Sequence, residues 1–482
     1  MMSNSNLSLG RKQNVLMFPW LGHGHVSPFL QLAKKLIKTN HFNIYLCSTP
    51  ANLNSIRQVA QNESISLIEL NLTPLPGLPA ELHTTNALPS YLMATLKRAF
   101  DNASPNFAKI LLNLKPDLLI YDMIQPWAAE AAAAIGIPSV LFITTSATMA
   151  SNMFHLYKKK GNAYPFKSIY YRAYEYWNVK EVLESEANGR KDKDRVEEGV
   201  ENSSSIVLAK SFKEIEGKYA DYFTELTGKR VVPVGPLVVD PLHVDNEQNN
   251  VIEWLDTKTP GSTVFISFGS EYFLSEADLK EIAKGLELSN VNFIWVLRFP
   301  RGHWEGILTI EQALPQGFLE RVQNRGLVVE GWAPQAKILA HKNIGGFVSH
   351  CGWSSVMEAM KFGVPIIAMP MHLDQPVNAR LVVELGLGKE VLRDGNGVLM
   401  GHKVAEVVDQ VVIGKLGEDV RAKAKKMSLD LKIKGDEEID VVADELLQLC
   451  SSAQARRVGG GLYKTRSEAF VLGKSWAVKG HV

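Results

Sequence analysis

Short apolar runs alternate with amphipathic stretches along most of the chain. Runs at 14–18, 43–47, 66–70, 118–121 and 139–142 are four or five residues long. Between them, 29–37 places Phe29, Leu30, Leu32, Ala33, Leu36 and Ile37 at helical spacing, and 127–135 is an alanine-rich helix. Apolar runs of this length separated by helices predict a parallel sheet covered on both faces. Runs at 206–209 and 231–234 complete this half. The stretch 239–250 is polar and aperiodic, which predicts a linker. The alternation then restarts, with strands at 264–267, 293–297, 327–329, 345–349 and 365–369 and helices at 276–288 and 355–361. Helices at 418–432 and 437–447 follow. The pattern predicts two α/β units in series, 1–238 and 251–436. Neither period persists past the glycines at 459–461, so 451–482 is expected to be a flexible tail.

Composition narrows the function classes. Of 482 residues, 46% are hydrophobic and 21% charged, which excludes collagen-like, disordered and disulfide-scaffold proteins. Lys+Arg 52 against Asp+Glu 51 gives a net charge of +1, so there is no bulk attraction to nucleic acid or acidic membranes. The tail is locally basic, with Arg456, Arg457, Lys464, Arg466, Lys474 and Lys479 against Glu468 alone. Cys47, Cys351 and Cys450 are odd in number and lack a Cys-x-x-Cys, which fits neither a disulfide framework nor a zinc site. The apolar run 15–20 is too short for a secretory signal, and nothing approaches the ~20 apolar residues of a membrane span. The expectation is a soluble, cytosolic monomer.

Two regions carry chemistry. At 19–28, Gly22-x-Gly24-x-x-Ser27 imitates a dinucleotide fingerprint, but the third glycine and the ribose-binding acid are missing. What remains is His25 at a strand-to-helix turn, either a general base or a structural histidine. Asp122, at the end of the 118–121 strand, reaches the same sheet edge. It is either a partner for that imidazole or the N-cap of the helix that follows. The denser region is 332–375. There a strand enters His350-Cys351-Gly352, and Gly352 permits a tight turn. Ser354 and Ser355 then occupy the first helical turn, which makes an anion site. Glu358 can bind a ribose diol, Trp332 offers a flat face to a base, and Asp374-Gln375 can hydrogen-bond sugar hydroxyls. Together these suggest a site for a nucleoside diphosphate.

Residues 332–375 resemble, end to end, the signature box of plant family 1 UDP-dependent glycosyltransferases. The resemblance extends over about 12–450 and includes Gly24-His25, Asp122 and the strand and turn at 264–270. It implies the GT-B fold: two Rossmann-like parallel-sheet domains facing across a cleft, acceptor on the first, UDP-sugar on the second, with a C-terminal helix (437–450) crossing back. It implies His25 as general base and Asp122 as its orienting acid. Trp332 would stack on uracil, Ala333 and Gln335 would hold uracil and ribose, and Glu358 the ribose hydroxyls. Ser270, His350, Gly352, Ser354 and Ser355 would surround the diphosphate. Trp353, Asp374, Gln375 and Thr144 would contact the donor sugar. The family usually has Asn where this chain has Ser354, which implies weaker donor binding.

Ser270-Glu-Tyr-Phe-Leu274, Leu82-His-Thr-Thr-Asn86 and His372-Leu-Asp-Gln-Pro376 resemble the branch that adds sugar to sugar, on glycosides of phenolics, flavonoids or terpenoids. His83, Thr84, Thr85 and Asn86 are then acceptor-pocket residues, or alternatively a plain loop. The implied reaction inverts UDP-glucose to a β-glycoside, with UDP-sugar as co-substrate and no cofactor or metal. Rival readings are transfer to a bare aglycone, or a weakly catalytic UDP-sugar binder. Asp192-Lys193-Asp194 mimics a metal-binding Asp-x-Asp, but its charged surroundings predict a solvated helix face. His341 and His372 are expected to be structural.

Overall fold

The computed structural model describes residues 11–86, 88–241, 249–270, 272–299 and 309–459. The first half holds β1 (Gln13–Phe18), β2 (Phe42–Ser48), β3 (Ser66–Glu69), β4 (Leu118–Tyr121) and β5 (Ser139–Ile143). A small antiparallel hairpin, β6 (Glu186–Ala187) and β7 (Arg190–Lys191), precedes β8 (Ile206–Ala209) and β9 (Arg230–Pro233). Apart from the hairpin these strands form one sheet in the order β3-β2-β1-β4-β5-β8-β9. The second half holds β10 (Thr263–Ser267), β11 (Asn292–Leu297), β12 (Gly326–Glu330), β13 (Ile344–Ser349), β14 (Ile366–Ala368) and β15 (Gly388–Glu390), ordered β12-β11-β10-β13-β14-β15. Both sheets are parallel throughout.

Each sheet changes winding direction once, between β1 and β4 and between β10 and β13. Such a switch leaves a crevice at the carboxyl ends of the two strands. Phe18 pairs with Tyr121, so the turn bearing His25 and the residue Asp122 leave the first sheet side by side. Ser267 pairs with Ser349, so Ser270 and His350 leave the second sheet the same way.

The central strands lack polar alternation because both faces are covered. One face of the first sheet packs Val15, Met17 and Ile120 against Phe29, Leu32 and Leu36 of the helix His23–Lys38. The other packs Leu16, Phe18 and Leu119 against Phe100, Phe107 and Trp127. The last helix, Glu437–Gly459, buries Ile439, Val442, Ala443, Leu446 and Cys450 in the first of these clusters. It thus returns to the first sheet.

The structure departs from the pattern in instructive places. The first helix begins at His23, not 29, because its opening turn is polar and Pro28 lies inside it. The helix after Asp122 is Pro126–Ala134 with Gln125 at the N-cap position, so Asp122 caps nothing. The final helix runs through 451–459, where a flexible tail was expected. The remainder, 460–482, and 242–248 of the expected linker lie outside the described residues. The helix Gln375–Glu384 escaped prediction because it buries Gln375, Asn378 and Arg380 alongside its apolar residues. The Asp192 segment is not a solvated face. It opens the helix Asp192–Glu201, with Asp192 buried against Lys97 and Arg195 buried on Asp101 at 2.7 Å. No helix among the described residues is long and apolar enough to cross a membrane.

Candidate active site

His25 sits in the first turn of its helix, partly exposed, with Nδ1 2.8 Å from Asp122 Oδ2. Asp122 is fully buried. Its Oδ2 also accepts from the Trp20 N–H at 3.3 Å, and Oδ1 accepts from the Met123 N–H at 2.7 Å. These donors fix the carboxylate, and the carboxylate fixes the ring. With the Nδ1 proton directed at Asp122, the lone pair resides on Nε2, where a base needs it. Thr144 Oγ1 lies 3.0 Å from the same Nδ1.

Thr144 follows β5, and its neighbours cross to the second half. Thr145 Oγ1 donates to Asp374 Oδ2 at 2.8 Å, and Ser146 Oγ donates to Asn378 Oδ1 at 2.6 Å. Asp374 accepts a further bond from Asn378 Nδ2 at 2.8 Å. Burial pushes its carboxyl above the usual range against both of these bonds. Gln375 turns back on its own loop, with Oε1 accepting from Met371 and His372 N–H and Nε2 3.0 Å from His372 Nδ1.

In the second half, the helix Trp353–Phe362 starts at Gly352 with no side-chain cap. Its opening N–H groups are therefore available to an anion. His350 packs against this start, 8% exposed, and its Nδ1 has no hydrogen-bond partner among the described residues. Burial, aided by the charge on His372, pushes its pKa down to about 3, so the ring is neutral at physiological pH. A Cβ at Gly269 would fall 2.6 Å from His350 Nε2, and one at Gly352 2.5 Å from it. Gly352 has ordinary backbone angles, so it makes room for the imidazole rather than a turn. The turn's left-handed residue is Cys351, at φ 65°.

Gln335 Nε2 donates to Glu358 Oε2 at 2.6 Å and to Ser355 Oγ at 3.2 Å, joining three of the expected donor residues. Burial raises the pKa of Glu358, opposed by the Gln335 bond and by Lys210. Trp332 is 55% exposed, edge-on to His23 at 5.7 Å and under Arg298 at 5.8 Å. Ala333 is buried beside it, and Ser270 is partly buried past β10. Trp353 is committed elsewhere, its indole N–H donating to the Lys210 carbonyl at 2.6 Å.

The segment 83–86 packs on the turn that leads to His25. The Leu21 carbonyl accepts from Thr84 Oγ1 at 3.3 Å and from the Thr85 N–H at 3.0 Å. His83 is buried, its pKa lowered by burial, and its Nε2 has no partner among the described residues. Asn86 Oδ1 accepts from Arg298 Nη2 at 3.3 Å, a bond between the halves. His341 holds Asp256 at 3.0 Å, and no group of His, Cys, Asp or Glu among the described residues could hold a metal ion. The pattern missed Lys210, Arg298 and Asn378. The first two immediately follow strand runs, which was the available signal.

Comparison with known proteins shows the family. Residues 12–239 match the family described as glycosyltransferase, N-terminal domain, and 242–412 match UDP-glucoronosyl and UDP-glucosyl transferase. The chain is 49% identical to UDP-glucosyltransferase 29 of Panax ginseng over 91% of its length and 97% of that protein's. It is 47% identical to the beta-D-glucosyl crocetin beta-1,6-glucosyltransferase of Gardenia jasminoides, over 90% and 98% of the two chains. Its fold matches the crystal structure of Glycyrrhiza uralensis UGT73P12 complexed with glycyrrhetinic acid 3-O-monoglucuronide. The TM-score is 0.78 at 24% identity, covering 94% of this chain and 98% of that one. With two parallel sheets, a buried carboxylate on a histidine in the first half and an uncapped helix start in the second, the chain belongs to the plant UDP-glycosyltransferases of GT-B fold.

Proposed function

We propose that this enzyme transfers glucose from UDP-glucose to a sugar hydroxyl of a plant phenolic, flavonoid or terpenoid glycoside, with inversion at the anomeric carbon. The observation that carries the chemistry is the His25–Asp122 contact at 2.8 Å in the first half, beside which the second half offers an uncapped helix start for an anion. Similarity to an enzyme named for glucosyl crocetin supports a glycoside acceptor.

His25 Nε2 takes the proton of the acceptor hydroxyl, and Asp122 stabilises the resulting imidazolium. The acceptor oxygen attacks the anomeric carbon from the face opposite UDP. The C–O bond to the diphosphate breaks, and its electron pair leaves with UDP. Neutral His350, Ser355 and the N–H groups at the start of the helix take up the departing charge. Trp332 stacks on uracil, and Gln335 with Glu358 holds the ribose. Asp374 and Gln375 exchange their present partners for sugar hydroxyls. The acceptor enters beside the segment 83–86, which packs on the turn leading to His25. The buried free thiols fit a cytosolic setting.

Mass spectrometry with UDP-glucose and matched panels of aglycones and their mono- and diglycosides tests this. Hexose added to the glycosides alone is the expected result. Hexose added to bare aglycones alone would retain the chemistry and discard the acceptor class.

Gly352→Ala probes the donor end, because the new Cβ displaces the His350 ring. UDP affinity, read by titration calorimetry, is expected to fall about tenfold, or ~1.4 kcal/mol.

A further inference from the structure

Lys210 lies just past β8, and its N–H donates to the Ile143 carbonyl at 3.0 Å, which sets it beside Thr144 at the edge of the first sheet. Its side chain crosses to the other half, where Nζ donates to Ser354 Oγ at 2.8 Å. Lys210 is only 2% exposed. A buried ammonium is ordinarily matched by a carboxylate. Lys210 makes no ion pair among the described residues, although the charge of Glu358 acts on it from farther away.

We propose that Lys210 is a positioning residue for the donor diphosphate, acting through the Ser354 hydroxyl and setting a positive charge behind the first turn of the helix Trp353–Phe362. This rests on the assignment of that helix to UDP. A serine hydroxyl has one hydrogen and two lone pairs. Accepting from an ammonium fills one lone pair and leaves the hydrogen for a second acceptor, such as a diphosphate oxygen. The cation polarises the hydroxyl and strengthens the bond it donates. The shorter reach of Ser354, where the resembling family has Asn, is thereby offset by a charge from the other half of the protein.

The electrostatics agree. Burial pushes Lys210 down to about 8, which leaves it largely protonated at neutral pH and short of a counter-charge. An incoming diphosphate supplies that charge. The Trp353 indole bond to the Lys210 carbonyl, at 2.6 Å, holds the strand end and helix start in register. Because Lys210 and Ser354 belong to different halves, donor capture and apposition of the halves strengthen one another.

Titration calorimetry with UDP and steady-state kinetics with UDP-glucose test this on Lys210→Met, Ser354→Ala and the double variant. Lys210→Met is expected to weaken UDP binding about tenfold and to raise KM for UDP-glucose in parallel, with a smaller change in kcat. Its unliganded unfolding midpoint should be unchanged or higher, since an unpaired buried charge has been removed. Ser354→Ala should lose a similar factor, and the double variant no more than the worse single one, the non-additivity of a pair acting as a unit. Lys210→Gln, read the same way, serves if the methionine variant does not fold. UDP affinity within twofold of wild type in the lysine variants, or fully additive losses, would overturn the proposal. A lowered midpoint with unchanged UDP affinity would mark a purely structural lysine and overturn it too. Failure of the wild-type protein to bind UDP would overturn the donor-site assignment itself, along with this proposal.

Discussion

His25→Ala is expected to lower kcat for glucosyl transfer by about 10²–10⁴-fold, the range a positioned general base contributes. UDP affinity should stay within about twofold, because the groups assigned to the diphosphate belong to the helix Trp353–Phe362 and the turn before it, whereas His25 belongs to the helix His23–Lys38 of the first half. Asp122→Asn should fall as far by a different route. Asp122 accepts three hydrogen bonds through two oxygens, from His25, Trp20 and Met123. An asparagine has one oxygen and an NH₂ group, so at least one of those donors would face another donor. Either the ring turns to the wrong tautomer, which in a comparable buried dyad costs about 10⁴ in kcat, or a backbone N–H is left unpaired in a fully buried site, at about 1–3 kcal/mol. Initial rates at saturating substrates, with UDP calorimetry on the same samples, separate the outcomes. Transfer at the wild-type rate in His25→Ala would remove it as the base. A tenfold loss of UDP affinity would mean that it supports the fold of the donor site instead.

Much of this site is legible in the residue pattern because the chemistry sits at strand ends. A run of buried apolar residues announces its own end, and the polar residues just beyond it lie where a parallel sheet binds ligands. His25, Asp122, Thr144 and His350 all stand at such positions. Two kinds of information escaped. The first is competition between alternatives that only coordinates decide. Asp122 looked equally suited to cap the following helix until the helix proved to start at Pro126. The second is contact between distant segments. Nothing in the pattern joins Lys210 to Ser354, Thr145 to Asp374, or Asn86 to Arg298. Each pair needs both halves in place. Gly352 illustrates a subtler limit. A glycine after a strand suggests a special backbone, but here the positive φ falls on Cys351, and the glycine is needed for the volume of its neighbour. Buried polar helices are hidden for a related reason, since partners across the interface hold their polar residues and no apolar stripe forms.

The same interface sets the largest effect expected on stability. Arg380→Met is expected to destabilise the protein by about 3 kcal/mol, the lower end for breaking a buried ion pair. Arg380 is 3% exposed. Its Nη2 donates to both oxygens of Glu175 at 2.6 and 2.7 Å, and its Nη1 donates to Glu390 Oε1 at 2.9 Å. Arg172 completes the group, with Nη1 2.6 Å from Glu390 and 3.1 Å from Glu175. Two guanidinium groups and two carboxylates thus balance across the halves. Arg172 and Glu175 lie at the start of the helix Ala173–Glu184, Arg380 on the helix Gln375–Glu384 and Glu390 on β15. Removing Arg380 leaves two buried carboxylates sharing one cation. Arg172 retains both of them, which keeps the cost at the low end. Because Gln375 opens the helix that bears Arg380, KM for UDP-glucose should rise as well. Adding Glu175→Gln to Arg380→Met removes one of the stranded charges and should recover part of the loss, whereas two unrelated lesions would add. Thermal and denaturant unfolding of the two variants, with KM measured alongside, decides the matter. A single variant within 0.5 kcal/mol of wild type, of the order of an exposed pair, would show that the network carries no net stability across the interface.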